Sequence, residues 1–173
     1  MQTDDQELIA RSLDADHQAY AELVDRYKNA LYRHCFAIVR REDVAEDIAQ
    51  EAFITAYYKL DSYNPTYRFS TWLFKIATNK ALTYLKRAAK EVAMDDELIE
   101  TVVSTLPGTE RAAVHGELRA AVERLSPKHR AVVSLYYWQG LSYQEIAQVL
   151  SSPVGSVKVW MLRAKQQLKK ELS

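Results

Sequence analysis

Apolar residues fall at helical intervals from Asp16 onward. Ala19, Tyr20, Leu23, Val24, Tyr27, Leu31, Cys35, Ile38 and Val39 share one face, with Asp16 placed to cap the helix they imply. A second stripe, from Val44 through Ile48, Ala52, Phe53 and Ala56 to Leu60, predicts a helix over residues 43–60. Its other face carries Asp43, Glu46, Asp47, Gln50 and Glu51. Asn64-Pro65 breaks the pattern, which resumes after Ser70, a hydroxyl suited to an N-cap, as a third helix from Thr71 to about Lys90. Residues 91–112 lose the stripe and contain Pro107-Gly108, so they read as a linker.

Residues 113–173 form a second module. Leu118, Val122 and Leu125 mark a short helix, Ser126-Pro127 supplies N-cap and first position of the next, and that helix runs to Gly140. Ser142 and Glu145 have capping-box spacing, Ser151-Ser152 makes a turn, and Pro153 opens a last helix to about Lys170. Helix, short turn, helix is a DNA-binding arrangement whose second helix enters the major groove. On a helical wheel Val157, Met161, Ala164 and Leu168 occupy one narrow, buried sector. The opposite sector presents Lys158, Val159, Leu162, Arg163 and Gln166, cations and an amide beside apolar groups able to touch thymine methyls. Trp160, on the flank, reads as core.

With few Gly and Pro, four of each, and 48% hydrophobic residues, the chain has material for helical packing and few of the turns a many-stranded fold needs. The expected fold is all-α, two small helical domains at 1–90 and 113–173 joined by 91–112. The formal net charge of zero hides an alternation. Residues 42–61 hold six acids against Lys59, whereas residues 65–90 hold six bases and no acid. Residues 91–123 carry eight acids and two bases, and residues 124–173 eight bases against Glu145 and Glu171. Two basic blocks suggest two phosphate-facing surfaces, and the acidic ones a different partner.

The first basic block opens with aromatics. Tyr63, Asn64, Tyr67, Arg68, Phe69, Ser70, Lys75, Asn79 and Lys80 interleave rings, cations and polar readers. Single-stranded DNA binding needs that mixture, because bases stack on rings while phosphates meet Lys and Arg. An unpaired base also needs a reader for its exposed edge, a role open to Asn79. Trp72, Phe74 and Ile76 read as core.

The runs Asp47-Ile-Ala-Gln-Glu-Ala-Phe53, Arg68-Phe-Ser-Thr-Trp-Leu-Phe-Lys-Ile-Ala-Thr-Asn79, Leu141-Ser-Tyr-Gln-Glu-Ile-Ala-Gln-Val-Leu150, Pro153-Val-Gly-Ser-Val-Lys158 and Leu162-Arg-Ala-Lys165 together resemble the bacterial extracytoplasmic-function sigma factors. The resemblance spans nearly the whole chain in order and leaves no room for an appended C-terminal domain. It implies a first domain that melts and captures the minus-ten promoter element, a linker through core RNA polymerase, and a second domain that reads the minus-thirty-five element. Asp47, Gln50 and Glu51 match the polar face that docks on polymerase. The loop from Tyr63 to Phe69 matches the family's flipped-base loop, and Asn79 matches a promoter-contacting Asn. Ser156, Lys158, Val159, Leu162, Arg163 and Lys165 lie on the implied minus-thirty-five helix. Val159, Leu162 and Trp160 depart from the family's usual small polar residue, aromatic and Arg, which puts the sequence read there in question. The implied partners are core RNA polymerase, promoter DNA and an anti-sigma factor, with no cofactor.

A helix-turn-helix regulator that never touches polymerase explains residues 113–173 equally well. It leaves the acidic helix and the aromatic loop unassigned. An enzyme finds little support, because His17, His34, His115 and His129 show no ligand spacing and no nucleophile motif or phosphate loop occurs. Cys35, the single cysteine, sits on an apolar stripe and reads as a buried thiol. The N-terminus lacks an apolar export segment and no apolar run reaches the roughly 18 residues of a membrane span, so a cytoplasmic protein is expected. Limited proteolysis is expected to cut first within residues 91–112, because polar, weakly periodic segments open easily. First cleavage within residues 16–60 would contradict the two-module organisation.

Overall fold

The computed structural model describes residues 2–94 and 113–173. Its first element, α1 (Asp5–Leu13), was not expected from the sequence pattern. This helix buries Leu8, Ile9 and Ser12, and its N-terminal Asp5 is held by the Arg26 guanidinium and the Tyr27 hydroxyl of α2 (His17–Val39). Asp16 caps α2 as the sequence predicts, accepting from the backbone N–H groups of Gln18 and Ala19 at 3.1 and 3.2 Å. Arg11 donates to the same carboxylate at 2.8 Å, closing the α1–α2 turn and holding Asp16 below the usual carboxylate range.

Arg40, in the left-handed region at φ 59°, reverses the chain into α3 (Glu42–Tyr58). Its buried residues include four alanines, Ala45, Ala49, Ala52 and Ala56, whose small side chains let α3 pack closely on its neighbours. A tight turn at Leu60–Ser62 then leads to α4 (Phe69–Met94). This helix starts before Ser70, so Ser70 lies in the first turn and is not the cap. The reason is Phe69, 1% exposed and packed against the rings of Tyr27, Tyr63 and Trp72, which fixes the helix start by burial. The helix runs to Met94, into the segment expected as linker; residues 95–112 lie outside the described residues.

After α5 (Ala113–Glu123), Ser126 caps α6 (Pro127–Val133) by accepting from the His129 N–H at 3.3 Å, with Pro127 at the first position. The chain next widens into a π-helical turn at Ser134–Trp138, where the sequence pattern predicts a continuous helix, and ends at Gly140 with φ +68°. The capping box forms on α7 (Tyr143–Val149): the Glu145 N–H donates to Ser142 Oγ at 3.2 Å, and the Ser142 N–H to Glu145 Oε2 at 2.8 Å. α8 (Val154–Glu171) begins one residue after Pro153, which occupies the cap position. Among the described residues there is no strand.

The two helical groups share a core. Leu31, Cys35, Ile38, Leu73 and Ala77 from the first half join Val132, Leu135, Ile146, Val157 and Met161 from the second in one buried cluster. A second, smaller cluster of Val122, Leu125, Val133 and Ala164 lies wholly within the second half. Polar groups fix the seam. Arg130 of α6 donates to the Ile38 carbonyl of α2 at 2.6 and 3.2 Å, and to the Leu125 carbonyl at 2.6 Å. Arg40 pairs with Glu123, and Gln139 donates to the Ala30 carbonyl at 3.3 Å. His34, wholly buried, lies 2.9 Å from Ser134 Oγ on α6's continuation and 2.7 Å from Thr78 Oγ1 on α4. Cys35 beside it is buried as expected, with its thiol pushed up to about 12.

Burial lowers the His34 pKa from its ordinary 6.5 to about 3. The unfolded chain therefore takes a proton here as pH falls below 6.5 while the folded chain keeps the ring neutral. This contribution to stability is full above 6.5 and falls through the window down to about 3, by up to about 1.4 kcal/mol per pH unit. His34→Gln removes that slope, so the stability gap between wild type and variant, measured by urea unfolding, is expected to narrow from about pH 7 to about pH 5. A gap independent of pH would show that His34 titrates alike in both states.

Candidate nucleic-acid interface

On α8 the wheel holds. Val157, Met161 and Ala164 are buried, and Leu168 packs half-buried against Val122, Leu125 and Val133. Lys158, Val159, Leu162, Arg163, Lys165 and Gln166 are exposed, and Ser156 in the first turn is half-buried. Leu162 at 56% exposure stands among cations, an apolar group in water with nothing covering it. Trp160 packs at the flank beneath Lys128, whose Nζ lies 4.6 Å from the ring centroid, so it staples α8 to α6 and offers no stacking face. The Arg124–Glu171 ion pair and a hydrogen bond from Gln167 to the Arg124 carbonyl at 3.2 Å tie α8 to the α5–α6 junction. The exposed face of α8 is thus braced from behind by α5 and α6.

The aromatic loop divides into two sets. Tyr63 and Phe69, expected to face DNA, are core residues: Tyr63 is buried, its hydroxyl donating to the Tyr67 carbonyl and accepting from Gln6 Nε2, and Phe69 lies beneath it. The loop folds back on its own rings because two large apolar side chains gain more from burial than from water. They shape the loop and do not present rings. Asn64, Tyr67 and Arg68 do face outward. Asn64 Oδ1 accepts from the Thr66 N–H at 2.9 Å, a local turn that leaves its amide nitrogen outward for other work.

Along α4, Trp72, Lys75 and Asn79 follow at helical spacing, half-buried, half-buried and exposed. With Ser70, half-buried in the first turn, they extend the loop's surface up the helix. Lys80 turns toward α3, 3.8 Å from Glu51. That pair joins the basic surface to the acidic one.

Asp47, Gln50 and Glu51 are all exposed on α3. Ile54 and Tyr58, at 57% and 79% exposure, continue the same face one and two turns on. The sequence reading missed both, having looked for charge there. Their signal was present: each falls outside the apolar stripe that the buried alanines define, so each had to point to solvent. An acidic rim beside an exposed apolar strip is the composition of a protein-docking surface.

An all-α protein with a helix-turn-helix, a basic loop and a separate exposed face of acidic and apolar residues has the surfaces of a class that reads DNA in concert with a protein partner. Residues 23–91 match the Sigma-70 region 2 family, and residues 115–168 match Sigma-70 region 4. The chain is 36% identical over 169 residues to the ECF RNA polymerase sigma factor SigW of Bacillus subtilis, covering 91% of this chain and 90% of that one. Among solved structures it resembles CnrH in complex with the cytosolic domain of CnrY, with a TM-score of 0.70 and 26% identity over 97% and 96% of the two chains. It shares its fold with the sigma factor RpoE of Bartonella quintana, solved with the anti-sigma factor NepR, at a TM-score of 0.74 and 24% identity over 88% and 96%. The chain belongs to the extracytoplasmic-function RNA polymerase sigma factors. Its function is to bind core RNA polymerase and direct initiation at particular promoters. A duplex-only regulator leaves the region 2 match without a role.

On α8 the exposed groups are expected to separate by readout. Arg163→Ala should cost about 1–3 kcal/mol at one base position and relax preference there, if the guanidinium bridges a guanine edge. Lys165→Ala should weaken all promoters alike and reduce the salt slope by about one. Val159→Ser should change the preferred base, since a hydroxyl replaces a methyl contact. Selection from a randomised minus-thirty-five library tests the first and third, binding measured against salt concentration tests Lys165→Ala, and an unchanged consensus for Arg163→Ala and Val159→Ser would show that this face does not read bases.

Proposed function

We propose a division of labour over three surfaces, with functional halves at residues 1–90 and 113–173 joined by residues 91–112. Asp47, Gln50 and Glu51, with Ile54 and Tyr58, dock on core polymerase. Asn64, Tyr67, Arg68, Ser70, Lys75, Asn79 and Lys80 hold the melted minus-ten strand, on a loop stiffened by Tyr63 and Phe69. Ser156, Lys158, Val159, Leu162, Arg163 and Lys165 read the minus-thirty-five duplex. The protein carries out no chemistry of its own: it selects the site, and polymerase makes the bond.

The observation that carries this reading is the exposed apolar strip of Ile54 and Tyr58 beside Asp47, Gln50 and Glu51, because a solvated polar helix face has no use for it. We place the protein in the cytoplasm, where polymerase and promoter are. An anti-sigma protein as a further partner is supported by the similarity to CnrH, which was solved bound to a cytosolic protein domain.

Co-purification with core polymerase is the direct test. Alanine at Asp47, Gln50 and Glu51 together should weaken core binding about 100-fold, as three contacts worth on the order of 1 kcal/mol each require, with helical content unchanged. Ile54→Ala with Tyr58→Ala should have a comparable effect. Full core binding by both variants would move the docking surface elsewhere.

A further inference from the structure

We propose that the cleft between α4 and α7 binds a free purine nucleotide, a small ligand separate from both promoter elements. The cleft holds about 770 Å³, within the roughly 300–1,000 Å³ that small-molecule sites occupy. One wall carries Tyr67, Thr71, Trp72 and Lys75 from the loop and α4, and the other carries Gln144 and Gln148 of α7.

Thr71 points to a ligand. It is 4% exposed and borders the cleft, and its Oγ1 is buried with no hydrogen-bond partner among the described residues. A buried hydroxyl left unpaired is costly, so this one calls for a polar atom in the cleft to meet it. The groups around it supply chemistry of one kind. Trp72 rests on Tyr63 and Phe69, at 5.3 and 5.9 Å between ring centroids, and its half-buried indole borders the cleft. Tyr67 adds an exposed ring to the same wall. Planar bases stack on such rings, and a two-ring purine covers more of them than a pyrimidine does.

The far wall suits a base edge. Gln144 and Gln148 stand one turn apart on α7, both exposed, and each primary amide offers donors and an acceptor together. Purine edges mix donors and acceptors in the same way. Lys75 supplies charge for a phosphate. The other cations of this stretch are engaged, Arg68 with Glu145 at 3.3 Å and Lys80 with Glu51 at 3.8 Å, which leaves Lys75 with no carboxylate partner among the described residues. A half-buried ammonium without an acid beside it is a point charge for a phosphate oxygen. Tyr67 and Lys75 also belong to the surface assigned above to the minus-ten strand, so nucleotide and strand contend for them. The nucleotide site rests on the cleft alone and stands without that assignment.

A single strand carries the same bases and phosphates, so the experiment separates the two sources. Isothermal titration calorimetry of the full chain with AMP and with GMP should show a single site with a Kd on the order of 10–100 μM for at least one of them, and inorganic phosphate and adenosine should each bind at least about tenfold more weakly. Thr71→Val should weaken the nucleotide about fivefold and Thr71→Ser should restore it, while Lys75→Gln costs about tenfold and Gln148→Ala about fivefold, with helical content unchanged. If Thr71→Val does not fold, Lys75→Gln and Gln148→Ala decide. The site is overturned if neither nucleotide binds tighter than about 1 mM, if phosphate binds as well as the nucleotide, if Lys75→Gln and Gln148→Ala leave the affinity unchanged, or if only a single-stranded DNA of about 12 nucleotides binds. Failure of the minus-ten assignment is a different result: strand binding indifferent to Asn79→Ala and Lys80→Ala, neither of which lines the cleft.

Discussion

The fold turns on a buried guanidinium held by main-chain oxygens. Arg130 reaches the Ile38 carbonyl at the end of α2 and the Leu125 carbonyl just past α5. Helix C-termini present carbonyls with no partner of their own and a partial negative charge. One planar cation with five donors answers several of these at once. Burial lowers its pKa to about 10, still far above neutrality, so the charge persists. Without it, the carbonyls at the end of α2 and past α5 would be buried with no donor to meet them.

Around that cation the seam is specific because it is polar. His34 is bracketed by two hydroxyls, one on α4 and one on the continuation of α6, and its ring stands edge-on to Phe74. An all-leucine seam would tolerate sliding; a ring that needs both hydroxyls does not. The π-helical turn matters here. Widening the helix at Ser134 sets that hydroxyl against His34, and the residues after it leave the rings of Tyr137 and Trp138 exposed.

Much of this was legible in the sequence wherever a local rule governs. Asp16, Ser126-Pro127 and the Ser142–Glu145 box are capping chemistry, decided within a few residues, and each forms as the spacing predicts. The α8 wheel was equally plain, because all of its neighbours lie on one side and leave the opposite face to solvent. What was not legible is what depends on distant partners. α1 is too short for a stripe to declare itself and is held by Asp5 meeting Arg26 and Tyr27. Phe69 and Tyr63 have the composition of a stacking platform, and only the ring of Tyr27 across the fold shows that they are core. His34 and Arg130 looked like unremarkable polar positions because their partners are 100 and 92 residues away in the chain. Ile54 and Tyr58 were overlooked for the opposite reason, being apolar residues on a face read for its charge.

The shared core also limits how this protein can be recombined. The division of labour proposed above, promoter preference on α8 and strand capture on α4, invites grafting one half from a relative to obtain a hybrid with a new target. The graft boundary runs through His34, Ser134, Thr78 and the Arg130 cage, so a donor half lacking the matching hydroxyl or guanidinium would join an unpaired imidazole to bare carbonyls. Such hybrids need the seam residues to be inherited as a set, and exchange of the exposed positions of α8 alone, which leaves Val157 and Met161 in the shared core, is the smaller and safer transplant.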